Sequence, residues 1–192
     1  MTNNFILFDN GTSTIKSINE HSFDAETDVR SITNEIGRPL QFSNMKEEEY
    51  YIGSILEEKR DILAIKSPVE RGIIKNFHDV EKIWNFIYER EFNYKSKETA
   101  TFLTECLQCP KKVREKSMEI LFETFEIPAF FSEKTTTLTS YSHGVSSAFI
   151  IEMGHGLTQI DTMNEGFHMK ESSTKYERYE KTNDLINEFM YD

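Results

Sequence analysis

The chain has 192 residues, 38% hydrophobic and 29% charged, and its 33 acidic against 22 basic side chains leave a net charge of −11. That length fits one medium domain or two small ones and buries roughly 70% of the unfolded surface, and 15 Phe with 8 Tyr argue for a packed core rather than disorder. The acidic balance repels nucleic-acid backbones and anionic membranes, basic clusters such as Lys111, Lys112, Arg114 and Lys116 are short, and no apolar run approaches a membrane span, so a soluble intracellular protein is expected.

The opening MTNNFILF carries neither a basic n-region nor a cleavage site. Two short apolar runs, Phe5 to Phe8 and Ile15 to Ile18, then read as strands joined through Asn10-Gly11-Thr12-Ser13. Gly11 lets the backbone turn sharply and lie against a ligand, and Thr12, Ser13 and Thr14 add hydroxyls to a turn whose N–H groups can cradle an anion. Lys16 shares a strand face with Thr14 and brings a point charge, while Asp9 ends an apolar strand where a carboxylate can hold a hydrated magnesium ion. An ordinary Asn-Gly hairpin with a solvated lysine has the same local pattern.

From Asp24 to Arg38 the texture is polar and ends in IGRP, and the block up to Lys66 is charge-rich, as in a small surface subdomain. Lys46 to Glu49 reads as a solvated run and Leu56 to Leu63 as a short exposed helix. Asp79 is expected to cap a helix whose Val80, Ile83, Trp84, Ile87 and Tyr88 form one apolar stripe. Thr99 to Leu107 reads as a strand. A helix follows Pro110, from Lys111 to about Glu126, with Val113, Met118, Leu121, Phe122 and Phe125 inward and Pro128 as its stop. The stretch from Glu133 to Tyr141 has weak helical character because Thr135, Thr136 and Thr137 are β-branched. Beyond Gly144, SSAFIIEM, the turn GHG and LTQIDTM form a second strand, glycine turn, strand unit.

The two cysteines form C-x-x-C in ECLQCP, Cys106 and Cys109. No second Cys pair follows and Pro110 adjoins directly, so two structural thiols in a loop are expected. His155 with Glu152 lacks a third metal ligand, and His78, Trp84 and the Phe122 to Phe131 cluster read as capping and core residues.

FDNGTSTIK resembles the first phosphate turn of the actin and heat-shock chaperone ATPase superfamily, and EMGHGLTQIDTMNEGF the second. The intervening IGRP, YYIG, ILAIKSPVERGIIKNFHDVEKIW and FLTECLQCPKKVREKSMEILFETFEIPAFF are similar to actin itself, collinearly from about residue 4 to 168. The resemblance implies an α/β fold: the ribonuclease-H-like N-terminal half of an actin, with a mixed sheet flanked by helices. Residues 1–31 and 67–145 would form the first subdomain, 32–66 a small inserted one, and 146–192 the second phosphate turn with the start of a third. In complete actins this half closes against a second across an ATP cleft, which here is expected to be missing. The tail's Leu185, Ile186, Phe189 and Met190 resemble the start of a third-subdomain helix.

The resemblance further implies that Asp9, Asn10, Gly11, Thr12, Ser13 and Lys16, with Gly154, His155, Gly156, Leu157 and Thr158, handle phosphates. It places Asp9 and Glu152 near the metal through water and makes Mg-ATP the cofactor, weakly held. Four positions depart from the family. Glu152 stands for an aspartate near the metal, His155 for an aspartate contacting the sugar, Thr135 for the glutamine that orients the attacking water, and Arg71 for a commonly methylated histidine. Hydrolysis depends on positioning water and offsetting charge, so little or no ATPase activity is expected. The principal reading is a cytoskeletal or actin-complex-associated binding protein whose partners are actin, actin-binding proteins or a larger actin-related complex. The alternative is a weak Mg-ATPase whose cleft a partner chain completes. An incomplete gene product with exposed apolar surface also fits. The expected location is the cytoplasm and cytoskeleton, with a nuclear role open. The loop between Gly37 and Tyr50 looks shortened and acidic, which argues against filament formation by this chain alone. Both glycine hairpins are expected to converge from one sheet onto a common anion.

Overall fold

The computed structural model describes residues 4–23, 29–40, 49–169 and 173–177. The tail positions Leu185 to Met190 and most of the Gly37 to Tyr50 loop lie outside them. In chain order the elements are strands β1 (Asn4–Asn10), β2 (Thr14–Asn19), β3 (Arg30–Thr33) and β4 (Ile36–Pro39), helix α1 (Ser54–Glu58), and strands β5 (Leu63–Lys66), β6 (Val69–Glu70) and β7 (Ile73–Ile74). Helix α2 (Phe77–Phe86), strand β8 (Thr99–Glu105), helix α3 (Lys111–Glu119), strand β9 (Phe130–Lys134) and helix α4 (Thr135–Ser142) follow. Four strands close the described chain: β10 (Ala148–Met153), β11 (Leu157–Asn164), β12 (Phe167–His168) and β13 (Thr174–Glu177).

The main sheet is mixed, in the order β3-β2-β1-β8-β9. The β3, β2 and β1 side is an antiparallel meander, whereas β1, β8 and β9 run parallel and are joined through α2 and α3. Parallel neighbours need such helical crossovers. Ile6 and Phe8 on one face of β1 meet Ile83, Trp84, Ile87 and Tyr88, all essentially inaccessible to solvent. Phe8 stacks on Trp84 with centroids 6.2 Å apart and meets Tyr88 edge-on at 5.5 Å. No helix among the described residues is long and apolar enough to cross a membrane.

Several local expectations need correction. Asn76, not Asp79, caps α2, its Oδ1 accepting the Asp79 N–H at 3.2 Å. Asp79 is instead buried and paired with Arg38 of β4, which ties the inserted segment to the helix. His78 is exposed and caps nothing. The Leu56 to Leu63 stretch is an α-helix through Glu58 followed by a 3-10 turn over Arg60–Ile62, and Leu56 is fully buried beside Gly37. Both α2 and α3 widen into π turns, Ile87–Glu91 and Ile120–Thr124. Around the second, Leu121 and Phe125 are buried as expected, while Met118 and Phe122, four residues apart, share the exposed side, and Ser117 and Ile120 are buried instead. Phe130–Lys134, read above as aromatic core and the start of a helix, is a strand in register with β8.

The second glycine hairpin belongs to a sheet of its own, in which β10 and β13 flank β11. The two hairpins therefore do not rise from one sheet. Helix α4 follows β9 of the main sheet and ties to the second sheet through threonine hydroxyls. Thr136 donates to the fully buried Asp161 of β11 at 2.7 Å, while His168 Nδ1 and the Ser173 hydroxyl contact the same carboxylate, each at 2.6 Å. Thr137 meets His168 Nε2 at 2.9 Å. Threonine is a weak helix former, and these bonds supply what propensity lacks.

Burial alone would raise the Asp161 carboxyl, but hydrogen bonds from Ser173, Thr136 and His168 outweigh it and hold the group below the ordinary carboxylate range. Its stabilisation is therefore complete above the unfolded value of about 4 and is lost as pH falls through the folded one. Thermal unfolding followed from neutral pH to below pH about 4 should show less acid sensitivity in Asp161→Asn than in the unaltered protein. Equal acid limbs would contradict this account.

Candidate functional site

The first turn is held from behind. Asn34, at the β3–β4 junction, is fully buried and donates its side-chain amide to Gly11 O at 2.7 Å and its backbone N–H to Ser13 O at 2.8 Å. Ser67 Oγ donates to Thr12 O at 3.3 Å. The carbonyls of Gly11, Thr12 and Ser13 are thus all bonded to the scaffold. In a planar trans peptide the N–H opposes the C=O, so the N–H groups of Thr12, Ser13 and Thr14 point away from those partners. Gly11 is required here, because a Cβ would sit 2.6 Å from Thr14 O.

Asp9 and Lys16 face each other across the β1–β2 ladder. Asp9 Oδ1 accepts from the Thr104 hydroxyl at 2.7 Å, which anchors the carboxylate to β8. The second turn closes with Gly154 N–H donating to Leu157 O at 2.8 Å. It packs directly on the first: a Cβ on Gly156 would lie 2.8 Å from both Thr12 Cγ2 and Oγ1. A third hairpin completes the contact. Arg71 and Gly72, with φ of 52° and 71°, form its two-residue turn, and Gly72 N–H donates to Thr12 Oγ1 at 2.9 Å.

Between the turns lies an open cavity of about 320 Å³. Asp9, Asn10, Gly11, Thr12, Ser13 and Lys16 line it from one side, and Glu152, Gly154, His155, Gly156 and Leu157 from the other. Thr158 lies off the lining, because strand alternation gives its place to Gln159. His155 is exposed.

Glu152 does not stand apart as a ligand. Its carboxylate accepts from Thr135 and Thr139 hydroxyls at 2.6 Å each and from Gln159 Nε2 at 3.0 Å. Gln159 Nε2 also reaches Thr135 Oγ1 at 3.1 Å, and its Oε1 accepts the Leu107 N–H. Near β8, Arg114 grips the buried Glu105 carboxylate through Nε at 2.7 and 2.8 Å and lines the same cavity. Asn34, Thr104, Gln159 and Arg114 were not singled out from the sequence as site residues. Only the Glu105 to Arg114 spacing, across a strand end and a helix start, offered a local hint.

These features fit a phosphate: backbone without side chains at Gly11 and Gly156, the Thr12 and Ser13 hydroxyls, the amides of the first turn, and Lys16. The fit to a divalent cation is narrower. No group of three or more His, Cys, Asp or Glu side chains is arranged for one among the described residues. Asp9 and Glu152 are the carboxylates for an indirect contact through water, and three donors already engage Glu152.

The close contact between turns makes Gly156 sensitive. Thr12 is stiff about χ1, and its Cβ would be 3.1 Å from the new Cβ, so it has little room to yield. Gly156→Ala should destabilise the protein by about 1–3 kcal/mol in chemical denaturation, as overpacking does. Gly166→Ala, where nothing lies within 4 Å of the added Cβ but φ is 85°, reports backbone strain without that clash.

A family model for actin matches residues 2–179, nearly the whole chain, and its span takes in the main sheet, both glycine turns and the cavity between them. The mixed sheet with flanking helices is that of an actin-like ATPase fold. This chain belongs to the actin family.

Proposed function

We propose that the chain is an actin-family binding protein that holds Mg-ATP weakly and does not turn it over. It acts by associating with actin, an actin-binding protein or a larger actin-related complex, in the cytoplasm and cytoskeleton or in the nucleus. The observation that carries this reading is the state of Thr135, which stands where the resemblance puts the glutamine that orients the attacking water. Its hydroxyl donates its one proton to Glu152 and accepts from Gln159, so it is engaged within the wall. The amide of Gln159 is likewise committed, to Leu107 and Glu152. No step of hydrolysis is then set up by these groups, since phosphoryl transfer relies on a positioned water.

Binding draws on the first turn's outward amides, the Thr12 and Ser13 hydroxyls, the Gly154 to Leu157 turn and the Lys16 ammonium. Magnesium, when bound, would share the charge of the phosphates, with Asp9 and Glu152 acting on its water shell. Calorimetry should detect weak Mg-ATP binding that Lys16→Ala reduces about tenfold, near 1.4 kcal/mol. Phosphate release at a rate comparable to polymerised actin would overturn the non-hydrolysing reading.

The Asp9–Lys16 pair on the cavity wall favours a second reading, a weak ATPase whose cleft is completed by a partner chain. It requires phosphate release that appears only when actin or another candidate partner is added.

For association, strand β10 supports the proposal with an outward apolar row, Phe149, Ile151 and Met153, the last 81% exposed. Such rows mark interaction surfaces more often than solvent-facing ones. Co-sedimentation with actin filaments, or recovery of an actin-complex subunit in a pulldown, should weaken in Ile151→Glu. Failure of the unaltered protein to capture any such partner would count against the binding role.

A further inference from the structure

The C-x-x-C segment, expected to hold two structural thiols in a loop, lies on the wall of the cavity described above. Cys106 through Cys109 form a four-residue turn between β8 and α3, closed by Cys109 N–H donating to Cys106 O at 3.1 Å. Such a turn brings its first and last Cα within about 7 Å, and disulfides span about 4.4–6.8 Å. The Cys109 thiol is within hydrogen-bonding reach of the Cys106 sulfur, so the two side chains face the same side. Neither is disulfide-bonded, and both line the cavity.

Cys106 also touches the support of the first phosphate turn. Its Cβ and Sγ lie 3.5 and 4.0 Å from the place of a Cβ on Gly72, whose N–H holds Thr12 Oγ1. An S–S bond of about 2.05 Å is far shorter than a thiol hydrogen bond. Closing it draws the Cys106 and Cys109 sulfurs together and so repositions the Cys106 side chain beside Gly72.

We propose that Cys106 and Cys109 are a reversible dithiol–disulfide pair, oxidised by a low-molecular-weight disulfide of the glutathione class, whose closure loosens the Gly72–Thr12 hydrogen bond. Cys109, half-buried where Cys106 is only 8% exposed, attacks first. Its thiolate forms a bond to one sulfur of the external disulfide, that S–S bond breaks, and one thiol leaves with the proton Cys109 gave up. The Cys106 thiolate then attacks Cys109 Sγ, the mixed disulfide breaks, and the second thiol leaves with the Cys106 proton. Two electrons pass from the protein pair to the external disulfide. The neighbouring Cys106 sulfur, and then burial, push the Cys109 thiol up, so exchange is slow at neutral pH and faster in mildly alkaline buffer. A consequence for phosphate affinity rests on the function proposed above.

The test is incubation of the full reduced chain with glutathione disulfide in mildly alkaline buffer. Intact mass should fall by two hydrogens, alkylation should drop to none, peptide mapping should join Cys106 to Cys109, and dithiothreitol should reverse all three. Two alkylatable thiols after long exposure, or separate glutathione adducts on each cysteine, would overturn the pair. Amide hydrogen exchange at Gly72 should be at least about threefold faster in the oxidised protein. A change confined to the Cys106–Cys109 turn, or the same change in the oxidant-treated Cys106→Ser/Cys109→Ser variant, would overturn the coupling. Both readouts are independent of ligand. If they succeed while Mg-ATP binds neither form, the phosphate reading fails and the thiol pair stands.

Discussion

The site depends on Thr12. Its carbonyl accepts from Ser67, its hydroxyl oxygen accepts from Gly72, and its side chain is the surface against which Gly156 packs. Three hairpins from separate sheets are thereby fixed to one residue. A β-branched side chain suits that task because its single stiff χ1 converts contacts on either side into a fixed distance. The direction of the turn's amides follows from the same arrangement: once Asn34 and Ser67 have taken the carbonyls, planar peptides leave the N–H groups on the other side. The turn's polarity is imposed by its supports, and the glycine only permits it.

That division explains what was legible in the sequence. Gly11, Gly154 and Gly156 announce themselves because turn chemistry is local. The apolar stripe of α2 is equally local, and its buried residues are those that the 3.6 period selects. The supports are not local. Thr104 reaches Asp9 across 95 residues, Gln159 reaches Leu107 across 52, and Asn34 reaches Gly11 across 23. No spacing rule connects such positions: parallel pairing of β1 with β8 brings Thr104 to Asp9, the β2–β3 ladder brings Asn34 to the first turn, and Gln159 reaches Leu107 from a different sheet. The helix after Pro110 is legible in extent but only partly in facing: Leu121 and Phe125 are buried as the spacing suggests, whereas the apolar Met118 and Phe122 lie on the exposed side and the polar Ser117 is buried. Asp79 shows the reverse error: a good capping residue was taken for the cap, although Asn76 three positions earlier offers the same chemistry and Asp79 answers to Arg38.

The wall around Glu152 is a closed set of polar partners. A longer amide at position 135 would extend from α4 into the cavity, whereas the short threonine hydroxyl reaches Glu152 and Gln159. Glu152 has the extra methylene to meet it, and Thr139 and Gln159 complete the carboxylate's partners. These residues satisfy one another, which rigidifies the wall. A carboxylate held by three neutral donors loses freedom to reorient around a ligand.

A chain with net charge −11 might be expected to keep its carboxylates in water, yet Asp79, Glu105 and Asp161 are all nearly or fully buried. Each sits at a seam. Asp79 joins the inserted segment to α2 through Arg38, Glu105 joins the end of β8 to α3 through Arg114, and Asp161 joins α4, β11 and β12 through hydroxyls and His168. A buried ion pair adds little net stability over apolar packing, but removing one partner strands a charge at a cost of about 3–5 kcal/mol. The effect is asymmetric: a correctly docked element gains modestly, while a misdocked one is strongly penalised. Small elements such as β4 and β12, with four and two residues, bury too little apolar surface to fix their own placement. At these seams the buried carboxylates supply the missing specificity, and two of the three, Glu105 and Asp161, lie on strands that also carry the cavity wall.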